Sequence, residues 1–381
     1  MGTEPAGRYD AMVVGGGMVG SAMAYGLSQA GARVALLDEG DLAMRAARGN
    51  FGLVWTQSKG VGMPAYVSLT RESAARWHGF SEEMAGHAGR DIGYRQQGGL
   101  DFCLGEAAYA ERSAHVARLH NQSGTLAPNT VMLDRKELEA LLPGTRLGPL
   151  VVGASLCRDD GHVNPLYLLR GLHAGIRAGG GTHLPGAPVT AIDARAGGFV
   201  ATRADGSEVW AERVIVAAGI ATTRLAAMVG ITLPVRPVRG QNIVTERLPP
   251  ILPLPASALR QTAEGVIQIG VTIEETDDPS TTVAGLAKMA ARAVKVLPEL
   301  AHARMVRAWG ALRPMTPDGF PAYAASTTHP GAFACAVHSG VTLAAAHAQI
   351  VAPAILAGDL SGFAAFDPSR FGDQPVVRSA H

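Results

Sequence analysis

A glycine-rich turn between two apolar runs constrains this chain more than any other feature. Residues 11–14 are apolar and lead into Gly15-Gly16-Gly17-Met18-Val19-Gly20, which opens a helical pattern. A second apolar run, 34–37, ends at Asp38. A GxGxxG sequence that follows a strand and opens a helix is typical of a dinucleotide-binding βαβ unit. Residues 10–38 are therefore predicted to form one such unit.

Each position of this motif has its own physical role. Gly15 permits the tight turn, Gly17 lets the backbone approach a pyrophosphate, and Gly20 allows the helix to pack closely on the strand. The free N–H groups and dipole of the helix N-terminus attract phosphate oxygens. Asp38 is predicted to accept hydrogen bonds from both ribose hydroxyls and to repel a 2′-phosphate, which excludes NADP and leaves NAD or FAD. The alternative is that these glycines are turn residues only.

The composition excludes several classes of protein. The 381 residues include 33 basic and 32 acidic ones, and this balance argues against a nucleic-acid-binding protein. The three cysteines form no CxxC pair, so we expect no metal or iron–sulfur site in this chain and a reducing, cytoplasmic compartment. The N-terminus lacks a signal-peptide pattern. The apolar stretches 11–30 and 331–357 are interrupted by glycines or polar residues, which predicts buried elements and no transmembrane segment.

A strand pattern occupies the middle of the chain. Antiparallel strands are predicted at 189–194, 198–203 and 209–211, with Asp205-Gly206 as a hairpin turn. A separate, fully apolar strand is predicted from Val214 to Gly219.

Five further segments resemble a known family. They are Arg48-Gly49-Asn50-Phe51-Gly52, the DGHVNP turn at 160–165, the strand 214–219, and the RPMTPDG and HSGVT segments at 313–319 and 338–342. With the glycine motif, they identify the chain as a member of the FAD-dependent amine oxidoreductases of the D-amino acid oxidase superfamily. That group includes glycine oxidase, sarcosine oxidase and D-amino acid dehydrogenase. The RGNFGLVW and HSGVTLA segments are most similar to the flavin subunits of opine oxidases, hydrogen cyanide synthase and D-hydroxyproline dehydrogenases.

The resemblance implies a two-domain α/β fold. A discontinuous, Rossmann-like FAD-binding domain would comprise 1–87, 160–232 and 309–381. A substrate domain with a mixed or antiparallel sheet would comprise 88–159 and 233–308. The site is expected between the two domains, where ligand pockets are common.

The resemblance also implies an activity. Family members transfer a hydride from the carbon bearing nitrogen to flavin N5, and the resulting imine is hydrolysed to an oxo acid. The expected substrate is a D-amino acid, an N-substituted amino acid or an opine. Arg313 would bind the substrate carboxylate, because its guanidinium matches a carboxylate bidentately, or it is an ordinary ion-pairing arginine. His338 would contact the substrate or tune the flavin, or it is a buried structural histidine.

The remaining expected contacts are with the cofactor. Arg45 and Arg48 would neutralise the pyrophosphate unless they are a solvated basic pair, Asn50 would hydrogen-bond the flavin ring, and Val189 would meet the adenine through its backbone. Residues 55–59 follow the flavin loop and are candidates for the substrate pocket. The full predicted cofactor-binding set is Gly15, Gly17, Met18, Val19, Gly20, Asp38, Arg45, Arg48, Gly49, Asn50, Gly52, Val189, Ala218, Gly219, Gly310, Ser339, Gly340, Val341 and Thr342.

Two departures from the family refine these expectations. Ala311 stands where monomeric sarcosine oxidases tether FAD to a cysteine, which predicts noncovalent FAD. Gln268 stands near the position of their oxygen-activating lysine, which favours a dehydrogenase over an oxidase.

Other interpretations of the sequence stay open. Members of the similar branch often work with an iron–sulfur-carrying partner subunit, which would have to supply the cluster. The chain would then be an amino acid dehydrogenase, or an FAD-binding electron-transfer subunit that is inactive without its partner. An NAD-dependent dehydrogenase would explain only the first 38 residues.

Overall fold

The computed structural model describes residues 8–40, 45–122, 124 and 126–372. Its strands are β1 (Arg8–Val14), β2 (Val34–Leu37), β3 (Leu53–Val54), β4 (Gly99–Leu104), β5 (Thr130–Asp134), β6 (Val151–Cys157), β7 (Gly161–His162), β8 (Thr182–Leu184), β9 (Val189–Arg195), β10 (Gly198–Arg203), β11 (Glu208–Val216), β12 (Arg236–Arg247), β13 (Leu259–Gln261), β14 (Val266–Gly270), β15 (Met305–Met315), β16 (Ala322–Ala325) and β17 (Ala332–Ala336). Its α-helices are α1 (Met18–Gln29), α2 (Pro64–Ala88), α3 (Glu106–Asn121), α4 (Arg135–Leu141), α5 (Pro165–Ala178), α6 (Thr222–Ala227), α7 (Val283–Val296), α8 (Ala344–Ala346) and α9 (Ala352–Ala357).

The first sheet is mainly parallel and has the strand order β16-β17-β11-β1-β2-β8. β1 runs parallel to both β2 and β11, with Val14 opposite Leu37 and Val216. The predicted βαβ unit is therefore confirmed. Because these three strands end together, Gly15, Asp38 and the residues after Val216 meet at one edge of the sheet, which is where open α/β sheets bind ligands.

Both faces of this sheet are buried, which explains the continuous apolar runs in the sequence. Ala11 and Val13 pack on the side of α1, α5 and the C-terminal helices. Met12 and Val14 pack on the opposite side, with residues of β9, β10 and α6. The two-residue alternation along one strand thus supplies two separate cores.

One strand prediction was wrong. The segments 209–211 and 214–219 were expected to be separate strands, but β11 is continuous from Glu208 to Val216. Its first half pairs with β10 in antiparallel orientation, and its last residues pair with β17 in parallel. Pairing on both sides carries the strand through the polar residues Glu212 and Arg213, which hydrophobicity alone marks as a break.

The second sheet is antiparallel and has the order β13-β14-β12-β15. A three-stranded sheet, β4-β6-β5, meets it through the backbone of Leu100, which bonds to Pro255 and Ser257 at 2.9 Å each. Side chains of α4 and α7 share one hydrophobic core with both sheets. The predicted α/β class, with a Rossmann-like parallel sheet and a further antiparallel sheet, is confirmed.

The expected domain boundaries stay a prediction. β4, β5 and β6 fall within 88–159, and β12, β13 and β14 fall within 233–308. β15 crosses the expected boundary at 309 because its whole length pairs with β12.

Close helix contacts complete the fold. A Cβ atom at Gly26 of α1 would overlap the carbonyl of Ala348, and one at Gly171 of α5 would lie 2.6 Å from the carbonyl oxygen of Met84 on α2. α8 and α9 are joined by a π-helical turn, His347–Val351.

Within the described ranges, no single helix is long and apolar enough to cross a membrane. Only the helix pair 344–357 and 361–371, which is bent by 114°, has the length and composition of a broken span. The cytoplasmic location stays a prediction.

Candidate active site

A cavity of about 1260 Å³ begins at the sheet edge where β1, β2 and β11 end, and extends along β15. We call the part around the glycine motif, Asp38 and Val189 the glycine end. The part around Lys59, Arg313 and His338 is the arginine end. The volume exceeds the roughly 300–1000 Å³ of ordinary small-molecule sites. The cavity therefore has room for a dinucleotide together with a second ligand.

Three glycines at the glycine end are required by the protein's own packing. Gly15 has a φ of +112°, and a Cβ there would overlap the carbonyl of Ala217. A Cβ at Gly20 would overlap the carbonyl oxygen of Gly15, as expected for close helix–strand packing. A Cβ at Gly16 would lie 2.6 Å from Cγ of Asp38, so the variable position of the motif is also constrained here.

Gly17 differs from these three. The nearest atom to a Cβ at this position is that of Ala47, at an ordinary 3.8 Å, so packing within the protein does not require glycine. Gly17 is the N-cap of α1 and supplies no side-chain cap to the helix. The first N–H groups of α1, at Met18 and Val19, lie at the cavity wall. A free space over uncapped N–H groups fits a bound phosphate.

Asp38 stands beside this turn. Its Oδ1 accepts a hydrogen bond from the N–H of Gly16 at 3.2 Å, which ties the end of β2 to the glycine turn. Val189, Ala218 and Gly219 line the same end of the cavity. The positions suit ribose and adenine recognition, and these roles stay predictions.

The two predicted arginines also line the cavity. Arg45 forms a bidentate ion pair with Glu39: its Nε donates to Oε1 at 2.5 Å and its Nη2 donates to Oε2 at 2.9 Å. The pair is largely exposed. Glu39 thus offsets the charge of Arg45, and the pyrophosphate contacts of Arg45 and Arg48 stay predictions.

The loop 49–52 is held by contacts within the protein. The carbonyl of Gly49 accepts hydrogen bonds from Trp309 Nε1 at 3.1 Å and from Asn242 Nδ2 at 3.2 Å. Asn50 Oδ1 accepts from the N–H of Gly52 at 2.7 Å, which forms a tight turn. Gly52 has a φ of +87° and, like Gly20, is absent from the cavity lining. The amide NH₂ of Asn50 and the second lone pair of its Oδ1 would serve any contact with a flavin ring.

Gly310 and Ala311 form part of the cavity wall along β15. A Cβ at Gly310 would overlap the carbonyl of Pro279, so the neighbouring loop 278–281 already explains this glycine. Ala311 presents no thiol. Burial raises the pKa of the cavity-lining Cys335 to about 12, so this thiol remains protonated.

Arg313 is fixed at the other end of β15. Its Nη2 donates hydrogen bonds to the carbonyls of Arg239, at 3.0 Å, and Thr272. A Cβ at Gly240 would lie 3.2 Å from Cζ of Arg313, so the missing side chain makes room for the guanidinium. The Nε atom is buried and has no hydrogen-bond partner. Burial lowers the pKa of Arg313, but an arginine stays charged. An anchored guanidinium with an unpartnered N–H fits an anionic ligand.

The hydroxyl of Ser339 connects three side chains at the arginine end. It accepts hydrogen bonds from Lys59 Nζ and from Tyr66 OH, each at 2.8 Å. Its Oγ lies 3.1 Å from Nδ1 of His338. A hydroxyl has one hydrogen and two lone pairs, so Ser339 must donate to His338. The imidazole is then neutral with its hydrogen on Nε2.

Charge and burial agree with this assignment. The pKa of His338 lies well below its usual range because of burial and the nearby charges of Lys59 and Arg313. The pKa of Lys59 falls to about 8, mainly through burial, with a further contribution from Arg313 and an opposing one from Asp160.

The segment 55–59 is positioned by the DGHVNP turn. Asp160 Oδ1 accepts from the N–H of Thr56, at 2.5 Å, and from its hydroxyl, at 2.9 Å. Asp160 Oδ2 accepts from Gln57 Nε2 at 2.8 Å. Burial raises the pKa of Asp160 to about 7 despite these donors. Trp55, Ser58 and Lys59 line the cavity, as the sequence indicated for this segment.

The turn before α8, residues 338–342, contributes mostly backbone groups to the cavity wall. Gly340, Val341 and Thr342 all line the cavity. The hydroxyl of Thr342 accepts from the N–H of Trp55 at 3.1 Å and is thereby engaged within the protein. Cofactor contacts of Ser339 and Thr342 are consequently expected from their N–H groups, whereas the sequence left this open.

Sequence reasoning missed Tyr66 and Asp160 as site residues and did not single out Lys59. One signal was available, because only four of the 33 basic residues are lysines and Lys59 closes the segment that follows the flavin loop. No local signal marks Tyr66. Gln268 is buried between Arg260 and Asn242 and does not line the cavity, so it gives no information on the electron acceptor.

Comparisons with known proteins show the family of the chain. The family DAO, FAD dependent oxidoreductase, matches residues 10–354, so the chain belongs to this family of FAD-dependent oxidoreductases. The chain is 38% identical over 371 residues to an opine oxidase subunit of Agrobacterium tumefaciens (strain Ach5), covering 97% of this chain and 99% of that protein. It is 39% identical over 368 residues to an opine oxidase subunit of Rhizobium meliloti, covering 96% and 98%.

A solved structure gives the same result. The crystal structure of glycine oxidase from Geobacillus kaustophilus matches with a TM-score of 0.85 and 25% identity, covering 98% of this chain and 100% of that chain. The predicted resemblance to the D-amino acid oxidase superfamily, and within it to opine oxidase subunits, is confirmed.

The cavity fits FAD on its own geometry. The open cradle at Gly17 and the uncapped N-terminus of α1 suit the pyrophosphate, and Asp38 suits a ribose. Residues 49–51, 308–314 and 338–342 line the rest of the cavity and would hold the flavin ring.

Proposed function

We propose that this chain catalyses the oxidative deamination of an amino acid or a secondary amine: a D-amino acid, an N-substituted amino acid or an opine. Bound FAD supplies the acceptor for a hydride from the carbon that bears nitrogen. The product is an imine, which water hydrolyses to an oxo acid. The observation that carries the proposal is Arg313, an anchored guanidinium with a buried and unpartnered Nε, in the same cavity as the dinucleotide cradle.

The chain's own residues bind and orient the substrate in this proposal. Arg313 binds the carboxylate, and its two carbonyl contacts prevent the guanidinium from moving with the ligand. A fixed carboxylate holds the neighbouring C–N bond in one orientation, which lowers the entropy cost of reaction. Trp55 and Val337 add apolar walls that exclude water. His338 would place its Nε2–H at the site.

Noncovalent FAD is part of the proposal, because Ala311 has no thiol and burial raises the pKa of Cys335 to about 12. A partner protein is also proposed, because the relatives from Agrobacterium and Rhizobium are named as subunits of an opine oxidase. An electron-transfer subunit without its own substrate site is the second candidate. The complete arginine end within one chain favours the catalytic role.

Anaerobic reduction tests the proposal. The purified chain is mixed with D- and L-amino acids, N-methyl amino acids, hydroxyprolines and opines, and the visible flavin absorption is followed. We expect one class to bleach the flavin, and admission of air then separates an oxidase from a dehydrogenase. A flavoprotein that none of these compounds reduces would support the electron-transfer subunit instead.

A further inference from the structure

Lys59 lies at the arginine end of the cavity. Its Nζ is held at 2.8 Å from Ser339 Oγ, which in turn lies 3.1 Å from Nδ1 of His338. Arg313 lines the same end, and its charge adds to burial in lowering the pKa of both Lys59 and His338.

An amino acid substrate creates a need for a base at this place. In neutral water its nitrogen is an ammonium, which has no lone pair to support loss of a hydride from the adjacent carbon. A group that removes this proton works best when its own pKa lies near the working pH. Lys59, with its pKa lowered to about 8 chiefly by burial, meets that condition.

The neighbouring titratable groups are less suited to the task. The Nδ1 of His338 already accepts the hydrogen of Ser339, and its pKa is far too low for it to hold a proton. Burial raises the pKa of Tyr66, which already donates its hydrogen to Ser339. Asp160 is fully buried behind the segment 55–59 and is occupied by Thr56 and Gln57. Arg313 stays protonated.

We propose that Lys59 is the catalytic base of this site, accepting the ammonium proton of a substrate whose carboxylate is bound by Arg313. This inference rests on the proposed function. One N–H bond of the substrate ammonium breaks and one N–H bond forms at Nζ, so the substrate becomes a neutral amine and Lys59 a cation, with no change in oxidation state. Ser339 and Tyr66 are positioning residues, because they fix Nζ through the shared hydroxyl.

The competing role for Lys59 is binding of a second substrate carboxylate, as an opine would present. The two roles predict different consequences of Lys59→Arg, which keeps a positive charge and cannot be deprotonated at neutral pH. If Lys59 is the base, both Lys59→Arg and Lys59→Met lose it. If Lys59 binds a carboxylate, only Lys59→Met loses that contact, and the loss raises the substrate concentration at half-saturation more than it lowers the limiting rate.

The first experiment measures the anaerobic rate of flavin bleaching against pH, with the compound that reduces the wild type. In the wild type, we expect the limiting rate to rise with pH through about 8 as Lys59 loses its proton. Both variants should be slower by about 100-fold or more and should lack this rise. Lys288→Met, an exposed lysine on α7, is the control and should match the wild type.

The second experiment does not depend on turnover. Competitive labelling with acetic anhydride, read by peptide mass spectrometry, measures the pKa of the Lys59 amine. We expect about 8 in the FAD-loaded protein and a higher value in Arg313→Gln, because the charge of Arg313 lowers it. A labelling profile of Lys59 equal to that of Lys288 would overturn the proposal.

The outcomes separate this inference from the function on which it rests. If the wild type is reduced and Lys59→Arg keeps the rate and its pH profile, Lys59 is not the base while the oxidation stands. If no amine reduces the wild type, both are overturned.

Discussion

The two ends of the cavity are constructed from different parts of the chain. At the glycine end the wall is mainly backbone, and Gly15 and Gly20 are needed because a single carbon would overlap a carbonyl. At the arginine end the side chains of Lys59 and Arg313 are held by hydrogen bonds to distant segments, and in our proposal they provide the chemistry. Cofactor binding should therefore be lost by adding one carbon, and turnover by removing one charge.

The largest effect is expected from Gly20→Ala. The new Cβ would overlap the carbonyl oxygen of Gly15, and neither atom can rotate away. Overpacking of this kind costs about 1–3 kcal/mol or more, and it moves the turn that holds the phosphates. We expect a protein with a lower Tm that is purified without FAD.

Gly79→Ala is the matched control for that substitution. Gly79 is exposed on α2, and no atom lies within 4 Å of a Cβ placed there. Alanine in a helix should leave FAD binding unchanged and raise stability by about 0.5–1 kcal/mol. Full FAD content in Gly20→Ala would contradict a backbone-built glycine end.

The second effect concerns Arg313→Gln. Loss of a buried charge from a charge pair costs about 2–5 kcal/mol, so flavin reduction at low substrate should fall about 30- to 3000-fold. FAD content should stay unchanged because Arg313 lies at the opposite end. Arg76→Gln, on the exposed face of α2, is the control. Equal loss of FAD and of reduction rate would show that the two ends are not separable.

A smaller effect is expected from Gly17→Ala. The site has room for the added methyl group in the free protein, with Ala47 at 3.8 Å, so the Tm of the FAD-free protein should not change. FAD should bind about tenfold or more weakly, which is about 1.4 kcal/mol, because the methyl occupies the space for the pyrophosphate. Fluorescence titration of the FAD-free protein measures this, and an unchanged Kd would place the pyrophosphate elsewhere.

A further effect is a pH dependence of stability that originates from Asp160. Burial raises its pKa to about 7 in the folded protein, above the ordinary value of 3.8. The folded state therefore binds the proton more tightly, so this stabilisation is fully present below pH 4 and is lost as pH rises through about 7. We expect the unfolding free energy of the wild type, relative to Asp160→Asn, to fall over that interval. Denaturant unfolding at pH 4, 6 and 8 measures the difference, and a rise with pH would contradict the assignment.

Local sequence signals account for elements whose determinants are contiguous in the chain. The bounds of α5 follow from Asn164, whose Oδ1 caps the helix, and from Pro165 at its first position. The βαβ unit and its glycine turn are likewise contiguous in the chain. β11 was misjudged because its length depends on its pairing partners, which lie elsewhere in the sequence.

The same distinction explains which site residues were found. Arg313 and His338 lie within motifs, whereas Lys59 and Tyr66 reach Ser339 across 280 and 273 residues. No pattern of spacing predicts such a contact, because it is created by packing of α2 against the C-terminal helices. The scarcity of lysine, with four among the 33 basic residues, was the one available indication.

The central claim is that a carboxylate bound at Arg313 and the flavin share one cavity. Titration with pyrrole-2-carboxylate, which has no hydrogen to lose as hydride next to its nitrogen, tests it through the flavin absorption spectrum. We predict a saturable spectral change in the wild type that requires at least tenfold more ligand, or about 1.4 kcal/mol, in Arg313→Gln. Equal titration curves in the two FAD-loaded proteins, or no spectral change in the wild type, would contradict the claim.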